Sequence, residues 1–191
     1  MRMTTTKTSS KTSSKTASVL ALTLLAAATA SCAKVEADVP QAQVTQKSVA
    51  FRGFPGSSQV GEVSITQSFT LTEADLSWAK NLNSEVYAYE VELKAVGGIQ
   101  DLSFIHYAHI TMSDGSDGAT TPAVEIVNYE RPANAVSSPV IVAPTTYPIN
   151  VSEVWAAKKV VVTMVLAGVF PEADWSADVT LNMSGKISYK F

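Results

Sequence analysis

One cysteine in 191 residues leaves no partner for an internal disulfide, so stability must come from a packed core. Histidine is nearly as scarce: only His106 and His109 occur, which confines any imidazole chemistry to one short stretch. No run of about 20 apolar residues is present, the length a helix needs to cross a bilayer. Gly-x-Ser-x-Gly nucleophile turns, Gly-rich phosphate loops and Cys-x-x-Cys pairs are all missing. Charged residues make up 16% of the chain and hydrophobic ones 46%, which excludes a disordered, charge-rich tail protein.

What charge there is divides unevenly. Residues 1–31 carry Arg2, Lys7, Lys11 and Lys15 and no acid, whereas all 17 acidic side chains lie beyond. A net −3 for the chain with +4 in the leader leaves −7 on residues 32–191. An acidic body argues against a nucleic-acid partner, because phosphate binding needs a basic surface. A segment of that length suits one core rather than two.

The leader has the layout of a secretory signal: a basic polar stretch over residues 1–16, the apolar run Ala17–Ala30, and small residues at its end. Cys32 follows directly. The stretch Thr29-Ala30-Ser31-Cys32 resembles the lipobox of bacterial lipoproteins. That resemblance implies that the Cys32 thiol carries diacylglycerol (palmitate-type chains) and begins the mature protein. It implies further a body held at the cell envelope, and Ala33 in place of an Asp favours the outer membrane. Ala28-Thr29-Ala30 is also an A-x-A site, which leaves ordinary cleavage before Ser31 and free secretion open.

The expected organisation is a signal peptide over 1–31, a lipidated N-terminus and flexible tether over 32–48, and one domain over 49–191. Residues 33–48 are small, polar and weakly patterned; extended, such a tether reaches roughly 50 Å at about 3.3 Å per residue. Beyond it the hydrophobic pattern has period two. Val63, Ile65, Phe69 and Leu71 share one face, as do Tyr87, Tyr89, Val91 and Leu93 opposite Ala88, Glu90, Glu92 and Lys94. Leu102–Met112 is mixed on both faces, with Phe104, His106, Ala108 and Ile110 opposite Ile105, Tyr107 and His109. Val160–Ala167 is apolar on both faces and reads as the best-buried strand. Val179–Phe191 alternates again. Prolines 132, 139, 144 and 148 point to edge strands joined by bends. Short helical turns are expected over Thr72–Trp78 and Ser152–Lys158. The fold class is therefore all-β: an antiparallel β-sandwich of seven to nine strands, immunoglobulin-like or jelly-roll-like. A terminal strand ending in Phe191 also resembles the last strand of outer-membrane barrels, but the proline-rich segment interrupts the strand series that a barrel needs.

Candidate site residues are few. Three residues apart on a strand, His106 and His109 are expected to face opposite ways, one to the core and one to solvent; a bulge would be needed for them to act together. Asp114 and Asp117, in a Gly-Ser-rich turn, offer carboxylates of the type calcium uses, without the EF-hand spacing; they are weak metal candidates, and Glu172 and Asp174 could join them only if their loop lies close. Trp78, Trp155 and Trp175 fall at expected loops or strand ends, where exposed aromatics could stack on sugars or anchor a protein. Glu90 and Glu92 share an exposed strand face. No cofactor is implied. The expectation is a non-enzymatic, lipid-anchored envelope module that binds a protein or a glycan. The alternative is a hydrolase that acts on glycans with the sandwich as scaffold.

Overall fold

The computed structural model describes residues 34–56, 61–71, 84–157 and 159–190. Within them lie eight strands: β1 (Lys34–Phe51), β2 (Val63–Leu71), β3 (Ser84–Gly97), β4 (Ile105–Asp114), β5 (Val124–Glu130), β6 (Val140–Asn150), β7 (Val160–Gly168) and β8 (Trp175–Lys190). A single helical turn, α1 (Ser152–Trp155), separates β6 from β7. Two four-stranded antiparallel sheets form: sheet A, in the order β1-β8-β3-β6, and sheet B, in the order β2-β7-β4-β5. The pairs β1/β8, β2/β7, β3/β6 and β4/β5 are those of one long eight-stranded hairpin. Rolling that hairpin up brings β8 beside β3 and β7 beside β4. Of the two sandwich types expected, this winding is the jelly roll. It is a two-sheet sandwich, not a closed barrel, and β8 lies inside a sheet between β1 and β3.

The core follows from the period-two pattern. Val160, Val162, Met164 and Leu166 of β7 are fully buried, while Val161, Thr163, Val165 and Ala167 between them are partly exposed. Burial of each such aliphatic side chain contributes about 1.5–3 kcal/mol. At one end of the sandwich an aromatic cluster closes the core: Trp175 stacks on Phe51 with centroids 4.0 Å apart and meets Phe104 edge-on at 5.1 Å. At the other end α1 inserts Val154 and Trp155. Asn150 starts that turn by accepting from the Ser152 amide (2.9 Å), while the Ser152 hydroxyl accepts from the Val86 amide (2.9 Å).

Three departures from simple alternation have a common cause. The first corrects the expected tether: residues 34–48 belong to β1, which pairs with β8 from Lys34↔Lys190 to Phe51↔Trp175. Two bulges hide this strand from a period-two reading. One spans Pro40 and Gln41, where a residue without an N–H is tolerated on an edge strand. The other holds Ser48 at φ 52°, its amide donating to Asp178 Oδ1 at 2.8 Å. The second departure is a bulge at Tyr89 in β3, which shifts the phase. Val86 and Ala88 point inward before it and Val91 and Leu93 after it, so Tyr87 shares the outer face with Glu90 and Glu92. The third, in β4, builds the site described next. The helical turn expected over Thr72–Trp78 lies outside the described residues.

Candidate functional site

β4 enters sheet B with Ile105 opposite Gly168 and then skips a residue, so that Tyr107 faces Ala167. The skipped residue is His106. Ile105 and Ala108 are both buried although three residues apart, and the bulge between them leaves His106, Tyr107 and His109 all on the solvent side. The expectation that the two histidines face opposite ways is corrected by this one extra residue. Gly168 makes the bulge possible: a Cβ there would collide with the Phe104 carbonyl oxygen, which instead accepts from the Val169 amide at 3.1 Å.

Each histidine finds a different carboxylate. His106 Nδ1 lies 2.8 Å from Glu62 Oε2, and His109 Nε2 lies 2.7 Å from Glu125 Oε2. Both pairs are about half exposed and are worth little in stability. They fix ring positions rather than holding the fold. Tyr107, 45% exposed, stands opposite Glu130 on β5. Together with Glu62, His106, Arg131 and Pro132 it lines a shallow cavity of about 260 Å³. The Arg131 guanidinium is committed elsewhere, donating to the Ala135 and Val136 carbonyls at 3.0 Å each.

From this cavity the outer face of sheet B runs as a grid set by strand register. β2 contributes Ser64, Thr66 and Ser68; β7 contributes Ala167, Val165 and Thr163; β4 contributes Tyr107, His109 and Thr111; β5 contributes Glu130, Asn128 and Glu125. Ser68 and Thr163 hydroxyls are 2.9 Å apart. No lysine or arginine stands in this grid. Around the β5 edge the face meets a second groove, of about 180 Å³, formed with β6. There Pro144 pairs with Glu90 and Ile149 with Ala88, so residues 145–148 bulge away from β3. The Thr145 hydroxyl ties the bulge to the Tyr89 carbonyl (3.1 Å), and Tyr147 stands 75% exposed beside Glu125 and Asn128.

The residues singled out from sequence fall elsewhere. Cys32 and Trp78 lie outside the described residues. Trp155 and Trp175 are core side chains, 2% and 3% exposed, and present no ring to a ligand; strand ends in a sandwich are where the core is capped, and large rings cap it. Asp114 Oδ1 accepts from the Ser116 amide at 2.8 Å, and the Ser116 hydroxyl and amide hold its carboxyl below the usual aspartate range. Asp117 is exposed on the same turn. Glu172 and Asp174 are at the opposite end of the sandwich, since Asp114 pairs with Val160 and their loop follows Gly168. Asp174 Oδ1 accepts from the Gly53 amide at 2.8 Å. No group of three histidine, cysteine, aspartate or glutamate side chains converges as a metal site among the described residues. On sheet A's outer face Glu90 Oε1 accepts from Asn182 Nδ2 at 2.7 Å, which ties that carboxylate to the sheet. Sequence reading missed Tyr107 and Tyr147 as exposed aromatics: the first looked like part of an alternating strand and the second like part of a bend.

Among the described residues no helix is long and apolar enough to cross a membrane. Compared with known proteins, the chain matches no protein-family model and no curated protein.

Proposed function

We propose that the protein is a cell-envelope lipoprotein, anchored through acylated Cys32 to a bacterial membrane, the outer one by the identity of Ala33, and that its jelly roll is a binding module. The anchor reading rests on Thr29-Ala30-Ser31-Cys32 directly behind an apolar run. The observation that carries the binding reading is the outer face of sheet B, where Tyr107 is kept 45% exposed between two His–Glu pairs. A sheet face with only wetting to do needs no ordered aromatic there; a ring with low conformational entropy is what a binding surface uses. The intact mass of the mature protein from membrane and soluble fractions tests the anchor. A chain starting at Cys32 with added acyl mass is expected; a soluble chain starting at Ser31 without lipid would refute it.

The His–carboxylate pairs also favour a second reading, a hydrolase that acts on glycans by removing ester-linked acyl groups, because a carboxylate that orients an imidazole is two-thirds of the triad used in acyl transfer. On that reading, His106→Gln or His109→Gln abolishes deacylation of a glycan ester that the wild type hydrolyses, and unchanged turnover in both variants removes it.

A further inference from the structure

We infer that the outer face of sheet B and the adjoining β5/β6 groove form one continuous site for a neutral oligosaccharide chain, with Tyr107 and Tyr147 as its two stacking platforms. This rests on the binding-module reading and is independent of the anchor.

Three observations carry it. First, the two exposed tyrosines mark the two ends of a single path. Tyr107 stands opposite Glu130 at one end of β5, and Tyr147 borders Glu125 and Asn128 toward the other. The five steps from Glu125 to Glu130, which oppose four in β4, span about 13–17 Å at about 3.3 Å per strand residue, the length of several sugar rings rather than one. Second, the surface between them matches a polyhydroxylated ligand. Thr111, Thr163, Asn128 and His109 donate and accept hydrogen bonds, and Val165 and Ala167 offer small apolar patches for the faces of sugar rings. These short, stiff side chains lose little rotamer freedom on binding, unlike the lysines and glutamates of an ordinary wet sheet face.

Third, the charge pattern selects for neutrality. The grid holds no lysine or arginine, and its rim carries three carboxylates, Glu62, Glu125 and Glu130, against one cation, Arg131, whose guanidinium is engaged by the Ala135 and Val136 carbonyls. An acidic polysaccharide would be repelled by that rim, and an uncharged one is not. The carboxylates accept from sugar hydroxyls, and His106 and His109 hold two of them in place. A basic peptide is the other occupant such a rim could attract, and the test distinguishes the two.

The experiment is native affinity electrophoresis of the full mature chain through gels containing laminarin, mannan, xyloglucan or soluble starch, with polygalacturonate as the acidic comparison. Tyr107→Ala, Tyr147→Ala and, on sheet A's opposite outer face, Val96→Ala are run alongside. At least one neutral glycan is expected to retard the wild type and Val96→Ala, and polygalacturonate none. Each tyrosine variant is expected to weaken retardation about tenfold, within the range for a lost aromatic contact. No retardation by any of the four, or retardation indifferent to both tyrosines, overturns the inference. A photo-crosslinking residue at Thr66 then separates the two failures. A crosslinked protein partner leaves a binding module with a different ligand, and no crosslink in the absence of glycan binding removes the module reading as well.

Discussion

Trp175 offers the sharpest test of the packing, because on sequence alone it reads as a candidate exposed anchor and in the fold it is 3% exposed. Replacing a buried tryptophan by alanine costs about 3–5 kcal/mol in lost transfer energy and residual cavity. The stack on Phe51 and the edge contact with Phe104 each add about 0.5–1.5 kcal/mol beyond area burial. Against this, the indole Nε1 is buried without a hydrogen-bond partner among the described residues, and removing such a donor returns about 1–3 kcal/mol. The expected net loss for Trp175→Ala is about 3–5 kcal/mol, or about 6–20 °C in melting temperature for a domain this size. Trp175→Phe keeps most of the stacking and removes the unpaired donor, so it should lose under about 1.5 kcal/mol. Urea titrations followed by far-UV circular dichroism read both without depending on the deleted fluorophore. A loss below about 1 kcal/mol for Trp175→Ala would refute the burial and with it the aromatic closure of that end. Tyr147→Ala, at a 75% exposed position, should stay within about 0.5 kcal/mol of wild type in the same titration.

Other outcomes follow from single contacts. Gly168→Ala drives a methyl into the Phe104 carbonyl and should lower the melting temperature by at least about 5 °C while disturbing the bulge that presents His106; an unchanged melt would show that the bulge is not tightly held. Pro144→Thr with Pro148→Thr should make β6 a smoother edge, and static light scattering should then report self-association that the wild type lacks. The Asp101 carboxyl is held below the usual aspartate range, first by the Ser103 hydroxyl and amide. Its contribution to stability is therefore complete above about pH 4 and lost as the pH falls through its depressed folded value. Urea midpoints between pH 4 and pH 2 should fall less steeply for Asp101→Asn than for wild type, and parallel curves would refute the assignment.

The sandwich was legible because β2, β7 and β8 alternate: Val160, Val162, Met164 and Leu166 of β7 and Val179, Leu181 and Met183 of β8 are buried as their phase requires, and Val63, Ile65 and Phe69 of β2 pack against that core, while Phe191 lies outside the described residues. Strand order was not legible, since period two says which face is buried and nothing about which strand lies beside it. The failures cluster at bulges. An extra residue at Ser48, Tyr89 or His106 inverts the phase of everything beyond it, and none of the three carries the glycine or proline that would have announced it. Pro40 did announce one, but in weakly patterned sequence it read as linker. The site was missed for the same reason: Tyr107 reaches solvent together with His106 only because β4 skips a residue, and the glycine that permits the skip, Gly168, lies more than sixty residues away in another strand.

The early start of β1 has a mechanical consequence. In the sequence Ala33 alone separates Cys32 from Lys34, where the described part of β1 begins, and the strand then runs to Phe51 at the end of the sandwich that holds Tyr107. If Cys32 is the fixed point, a ligand pulling near Tyr107 loads β1 along its length. Its fourteen registered pairs with β8 are then strained together in shear rather than opened one at a time. Pulling between Lys34 and Lys190, which pair with each other, would instead peel the two strands apart. Single-molecule extension along the two axes should give a markedly higher rupture force for the first, and equal forces would show that β1 does not carry the load. The strand expected to be slack would thus be the taut element between surface and ligand.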